Sequence, residues 1–475
     1  MNVATGPARL IIAGVASGVG KTTIATGLMA ACAARGLRVQ GYKVGPDYID
    51  PTYHRAATGR PSYNLDTWLS TLAMVRERFE AGMRDADIAL IEGVMGLFDG
   101  RKGTIDSASS AEIARLLNAP VLIVIDVSHM GQSAAAVVSG FEHLDPRVHI
   151  AGVILNKVAS ADHEATVRNA IAHRTGVSVI GAIRRDPLLT LPERHLGLVP
   201  APETTIEIEA LGNTIARTVD INEIIELARS AGPLPTPPTE TMEPDHPPAP
   251  SLETIPAVRI GVALDAVFSF YYPETLEAFA HLGIEVVPFS PLNDHSLPDD
   301  LDLLYFGGGF PELFAEQLAK NQMMLASVRS AVQQGIPVYA ECGGYMYLGK
   351  SCIDASGQSH EMLGILPYTF RMGTARAQLG YREITTARQT IIGPAGMRLR
   401  GHEFHWSQLI DPPGADEQAA YIIEAREKKR EGYADETILA SYVHIPLAAN
   451  RHALIGLIHS CLSLRAKRNV QVRRS

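Results

Sequence analysis

The chain has 475 residues, 46% hydrophobic and 20% charged, with a formal net charge of −9, values of a soluble globular protein long enough for two or three domains. The negative balance argues against a nucleic-acid binder, and no apolar run approaches the roughly 20 residues of a membrane span. Four cysteines (32, 342, 352, 461) suit neither a disulfide framework nor a paired metal site, and without a basic leader and cleavage site a reducing, cytoplasmic location is expected.

In chain order, an apolar run at Leu10–Ala13 breaks into a glycine-rich turn (Gly14, Gly18, Gly20), and a helical pattern opens at Lys21, Thr22 and Thr23. A strand, a glycine loop and a helix N-terminus converge backbone N–H groups and the positive end of the helix dipole where phosphate oxygens are held. Gly18, Val19, Gly20 and Thr23 belong to this cradle. Lys21 reaches the outer phosphates and the Thr22 hydroxyl takes Mg²⁺, so ATP or another nucleoside triphosphate is the predicted ligand. The spacing is one residue longer than the strict motif, with Val15 where glycine is usual.

Apolar runs at 88–92, 120–127 and 150–155 read as further strands buried on both faces. Amphipathic stretches separate them, so residues 1–230 are predicted to form a doubly wound parallel sheet of the P-loop NTPase kind. Ligands of such sheets collect at the carboxyl ends of the strands. Tyr42–Pro51 is a loop there, carrying Lys43, Asp47, Tyr48 and Asp50. Its two aspartates either hold Mg²⁺ and orient a substrate or simply form turns. Glu92 at a strand end suits a second Mg²⁺ contact. Asp99 lies in an Asp-Gly turn, and Asn156 offers a donor and an acceptor to a purine edge.

Residues 231–257 carry nine prolines and almost no large apolar side chains, the composition of an extended linker. A second α/β pattern occupies 258–460, with strands expected at 258–264, 284–289, 301–306 and 336–340. The third runs into Gly307-Gly308-Gly309, a nest whose N–H groups can receive an oxyanion. The fourth runs into Glu341-Cys342-Gly343-Gly344, a strand–turn–helix sequence that resembles a nucleophile elbow, where a thiol gains exposure and a lowered pKa. Histidines 402, 405 and 444 are candidate bases, with His444 at the end of an apolar run. Basic residues gather at 461–475 and read as a solvated tail.

These motifs together resemble the cobyrinic acid a,c-diamide synthase family over roughly residues 9–460. The resemblance rests on Gly14–Thr23, Lys43–Pro51, Glu92–Asp99, Phe306–Glu312, Ala340–Tyr345 and Gly401–His405. It implies a dethiobiotin synthetase-like N-terminal domain and a class I glutamine amidotransferase-like C-terminal domain. Cys342 would attack the glutamine carboxamide, with His444 as base and Gly308, Gly309 and Gly343 around the oxyanion. Ammonia would then displace phosphate from a corrinoid acetate phosphorylated by ATP–Mg²⁺, the ion taken by Thr22, Glu92 and Asp47, with Asp47, Tyr48, Asp50 and Asp99 near the macrocycle. The implied partners are glutamine and a corrinoid, with neither nucleic acid nor membrane, and a homodimer is allowed. Hydrogenobyrinic acid or nickel-sirohydrochlorin as substrate, a sibling such as cobyric acid synthase, and a partitioning-type ATPase switch are the alternatives. Two positions depart from the amidotransferase pattern. Ala340 replaces a glycine before the elbow, and Pro446 stands where the triad glutamate is usual, leaving Glu403 as the guess for a third member.

Overall fold

Leu10 and Ile12 point to one face of the first strand and Ile11 and Ala13 to the other. All four are fully buried, each pair in a different apolar layer. Fully burying one such Leu or Ile is worth about 1.5–3 kcal/mol, which is why the run is continuous rather than alternating. In this computed structural model, residues 6–186, 193–194, 197–198, 207–236, 257–373, 378–410, 418–425 and 427–472 are described. The chain divides into two units, Met1–Thr241 and Met242–Ser475.

The first unit is a seven-stranded sheet: β1 (Arg9–Gly14), β2 (Val39–Val44), β3 (Tyr63–Leu65), β4 (Ile88–Gly96), β5 (Val121–Asp126), β6 (Ile150–Val158) and β7 (Val179–Arg184), in the order β3-β2-β4-β1-β5-β6-β7. All its pairings are parallel. The four expected strands are present, and β2, β3 and β7 were missed: β2 and β3 are rich in polar and aromatic residues, and the apolar run of β7 is interrupted by Gly181 and ends in Arg184. Helices cover both faces, α1 (Lys21–Ala34) between β1 and β2 and α2 (Asp50–Thr58) between β2 and β3 among them. The chain moves outward from β1 to β3 on one side and, after β4, from β5 to β7 on the other. The carboxyl end of β1 is therefore the switch point at which ligands collect.

The second unit centres on a six-stranded sheet. In spatial order it runs Glu285–Phe289, Arg259–Ala263, Leu303–Phe306, Val338–Glu341, Ile438–Ser441 and Tyr433–Ala434, parallel except for the last pair. The four expected strands recur within two residues. Two further four-stranded sheets drawn from 351–431, one antiparallel and one mixed through the parallel pairing of Ser351–Ile353 with Thr369–Met372, were not legible as such. The solvated tail expected at 461–475 is, through Val472, the end of a helix from Arg451. Cys461 is buried there, and Arg465 and Arg468 are tied to Asp302 and to the Gly335 carbonyl. Of the expected linker, residues 237–256 lie outside the described residues. Its first residues are anchored to the first unit, where Arg9 donates to the Gly232 carbonyl at 2.6 Å.

Candidate active sites

In the first unit, Gly20 caps α1 at φ 91°, and neither a side-chain cap nor a first-turn carboxylate satisfies the helix N-terminus. Its free N–H groups are what a phosphate would bind. The Lys21 ammonium folds back onto the Ala16 carbonyl at 2.9 Å. Burial, with Lys43 nearby, lowers its pKa to about 8. Asn156 stands near the end of β6, beside the phosphate loop. Its amide Nδ2 donates to the Val19 carbonyl at 2.8 Å and its Oδ1 accepts from Lys157 N–H, so it braces the loop rather than presenting a free edge to a base.

Beside the loop is a buried polar cluster. Glu92 accepts from Thr22 Oγ1 (2.6 Å), Lys43 Nζ (3.0 Å) and His54 Nε2 (2.7 Å), and Lys43 also pairs with Asp50 at 2.5 Å. Burial alone would raise Glu92, but Lys43, His54 and Thr22 together bring it well below the usual carboxylate range. Lys43, despite burial, is held protonated by Asp50 and Glu92. Asp50, buried beside Asp47 and Glu92, is pushed up. The two loop aspartates thus separate. Asp50 joins the cluster, whereas Asp47 Oδ1 accepts from the Ile49 and Asp50 N–H groups and so makes the turn. Asp99 Oδ2 likewise accepts from Gly96 N–H at 2.9 Å. Tyr48 is buried in the same loop. His54, whose other nitrogen bonds Ser62 at 2.9 Å, was missed, since one histidine inside a helix carries no motif. Among the described residues, no three His, Cys, Asp or Glu side chains close a metal site by themselves. Thr22 and Glu92 oxygens 2.6 Å apart fit Mg²⁺, which usually takes one or two carboxylates plus substrate phosphates.

In the second unit, three adjacent strands end side by side, with Phe306, Ala340 and Ala440 in register. Their extensions carry Gly307–Gly309, Cys342 and His444, which are far apart in sequence and brought together by the sheet alone. Cys342 has φ 49° and ψ −102°, a strained turn into the helix Gly343–Leu348. The two glycines that follow have a steric reason: a Cβ on Gly343 would lie 3.0 Å from Gly309 N, and one on Gly344 would strike the Phe306 carbonyl. A Cβ on Gly308 would strike the His444 ring, so the glycine nest lies flat against the imidazole.

The expected lowering of the thiol pKa is overturned. Burial first, then Glu312, pushes Cys342 up, and the Gly343 N–H offsets this only in part. The thiol is 3% exposed, and a helix of six residues has little dipole to set against desolvation. Of the other histidines, His402 is backbone-paired with His444 and His405 stacks on Tyr442 at 3.7 Å. Burial lowers them to about 3 and about 4. His444 Nδ1 is 3.8 Å from Glu341 Oε2. Glu403, the guessed third member, is instead held by Arg382 at 2.6 Å.

Two family models match: a "CobQ/CobB/MinD/ParA nucleotide binding domain" over residues 10–199 and a "CobB/CobQ-like glutamine amidotransferase domain" over 259–452. The chain is 44% identical to the cobyrinate a,c-diamide synthase of Dehalococcoides mccartyi strain CBDB1, covering 93% of this chain and 96% of the relative. The chain belongs to the cobyrinate a,c-diamide synthase family. The Priestia megaterium member is 41% identical over 97% of this chain and 98% of its own length. A Streptomyces coelicolor hydrogenobyrinate a,c-diamide synthase is 42% identical over 95% and 97%. The a,c-diamide synthase family fits both sites, a nucleotide-binding unit and a glutamine amidotransferase unit, and makes the chain a glutamine-dependent ligase. Among the described residues, no helix is long and apolar enough to cross a membrane.

Proposed function

We propose that the chain converts the a and c acetate carboxylates of cobyrinate to carboxamides, using ATP and glutamine. Cys342 Sγ attacks the glutamine carboxamide carbon, and His444 takes the thiol proton and returns it to the departing ammonia. The backbone N–H groups of Gly308, Gly309 and Gly343 face the oxyanion. In the other unit, Lys21 and the N-terminus of α1 hold the ATP phosphates, with Gly18, Val19, Gly20 and Thr23 shaping the cradle and Asn156 bracing it. Thr22 and Glu92 hold Mg²⁺, with Asp50 a nearer further carboxylate than Asp47; bound there, the ion neutralises phosphate charge. Lys43 holds Glu92 and Asp50 in this cluster, and Tyr48, Asp47, Asp50 and Asp99 are the side chains offered to the macrocycle. A carboxylate becomes an acceptor for ammonia only once phosphorylated, which is why both sites are needed. Four buried free thiols suit a cytoplasmic enzyme.

The observation that carries the reading is an uncapped P-loop helix beside the Thr22–Glu92–Lys43–Asp50 cluster in one unit and, in the other, a strained cysteine elbow on the middle of three adjacent strands whose outer two lead to the glycine nest and to His444. Hydrogenobyrinate is the second reading, favoured by the Streptomyces relative at nearly equal identity. Incubation with ATP, Mg²⁺, glutamine and each of cobyrinate, hydrogenobyrinate and nickel-sirohydrochlorin, read as product masses, decides it. Diamide from cobyrinate is expected, and no amidated product from any macrocycle would overturn the proposal.

A further inference from the structure

We infer that Glu341, the residue immediately before the nucleophile, is the carboxylate that positions and charges His444, in place of the glutamate that Pro446 displaces. The inference rests on the reading of Cys342 and His444 as the glutamine-hydrolysing pair. Glu341 is buried at the end of the strand Val338–Glu341, and three donors fix it: Tyr339 OH at 2.6 Å, Tyr305 OH at 3.0 Å and Ile445 N–H at 2.9 Å. The last comes from the residue following His444, so one carboxylate ties the nucleophile strand to the histidine segment. Its Oε2 faces His444 Nδ1 at 3.8 Å, within ion-pair range but longer than a hydrogen bond. The glycine nest meets the Cε1–Nε2 edge of the ring, where a Cβ on Gly308 would strike Cε1 and stand 3.2 Å from Nε2. The order carboxylate, Nδ1, Nε2, reaction space is that of a triad.

Glu341 is faced by the phenols of Tyr271, Tyr305, Tyr339 and Tyr421, all pushed well above their ordinary range by burial. His444 is faced by His402 and His405, which burial keeps neutral, and its ring packs on Gly308, one residue from the Gly309 that Gly343 of the elbow approaches. When His444 takes the Cys342 proton it becomes an imidazolium in a low-dielectric pocket. A carboxylate beside Nδ1 stabilises that form; toward the thiolate itself Glu341, like Glu312 and Glu403, is repulsive, so its help to the ion pair comes only through the adjacent imidazolium.

The test uses the full-length chain and its Glu341→Gln, Glu341→Asp and Tyr339→Phe variants. Glutaminase kcat and KM, ammonium-fed synthesis, and the rate of Cys342 alkylation by iodoacetamide are followed from pH 6 to 10. Glu341→Gln is expected to lower glutaminase kcat about 10–100-fold with KM nearly unchanged, and to move the midpoint of alkylation up by about one pH unit. Ammonium-fed synthesis should be spared, which also shows that the chain has folded. Glu341→Asp, which keeps the charge, should recover part of the shift. Tyr339→Phe, which only loosens Glu341, should shift the midpoint in the same direction by less. An alkylation profile in Glu341→Gln that coincides with wild type, or equal losses in the Asp and Gln variants, overturns the inference. Full glutaminase activity in Cys342→Ala would instead overturn the glutaminase reading beneath it.

Discussion

Gly308 packs so closely on His444 that a single methyl group should disable glutamine hydrolysis. A Cβ at Gly308 would lie 3.2 Å from His444 Nε2 and 3.2 Å from Phe270 Cβ, and closer still to His444 Cε1. Carbon–carbon contact needs about 3.5–4.0 Å, so in Gly308→Ala either the imidazole or the Gly307–Gly309 segment must withdraw by about 1 Å. The ring is fully buried and its segment is pinned by the His402 backbone pair, so the displacement falls on the catalytic geometry. A misplacement of that size costs about 10²-fold in rate, and overpacking of this kind costs about 1–3 kcal/mol in stability. The assay is glutamate release from glutamine, with ammonium-fed synthesis measured in parallel. Glutaminase kcat should fall by about two orders of magnitude while the ammonium-fed reaction stays near wild type. Gly308→Ala with glutaminase kcat within a few-fold of wild type would refute the assignment of this surface to the reaction.

The same two assays test the rest of the assignment. Cys342→Ala and His444→Ala should both abolish glutamine-fed synthesis and spare the ammonium-fed reaction, and with equal severity, because the buried thiol keeps no thiolate without its base. Substantial residual glutaminase in His444→Ala would show another base at work. Asp50→Asn and Glu92→Gln should slow synthesis from either nitrogen source and leave glutaminase intact. Glu92→Gln should also cost the first unit about 1.5–3 kcal/mol by removing one of the two carboxylates that hold Lys43, read as a lower unfolding temperature. Burial, with Glu403 nearby, raises Glu431 to about 7 from its usual 4.5, so its stabilising contribution is complete below pH 4.5 and lost as pH rises through 7. Glu431→Gln should therefore gain on wild type by up to about 3 kcal/mol between those limits in calorimetry, and a pH-independent difference would exclude the buried charge.

What the sequence disclosed was local in physical origin. The P-loop was legible because strand, glycine turn and helix N-terminus are consecutive, and φ 75° at Gly18 and 91° at Gly20 are conformations that glycine adopts without strain. The elbow was legible for the same reason. Parallel strands buried on both faces declared themselves as continuous apolar runs. Strands that carry function did not: Val39–Val44 contains Gln40, Tyr42 and Lys43, buried polar or aromatic groups that periodicity reads as loop. Most strands between 351 and 431 are three or four residues long, and the two longer ones, Gln378–Thr386 and Arg398–His405, are rich in polar and charged residues, so only their pairing identifies them.

The electrostatics were legible only in part, because pKa depends on what else is buried nearby. A thiol at a helix N-terminus suggests a lowered pKa. That rule presumes solvent and a helix long enough to supply a dipole, and Cys342 has neither, so desolvation decides the sign. The loop aspartates show the same dependence: Asp47 and Asp50 are three residues apart, yet one closes a turn and the other meets Lys43 at 2.5 Å. The third carboxylate is the clearest case. Side chains alternate along a strand, so Glu341 and Cys342 should face opposite sides and could not serve one histidine. The alternation ends where Cys342 leaves the strand at φ 49°, and His444 arrives from the neighbouring strand with its segment bonded to Glu341 through Ile445 N–H. A triad searched for downstream of the histidine would therefore not be found, since its acidic member precedes the nucleophile by one residue.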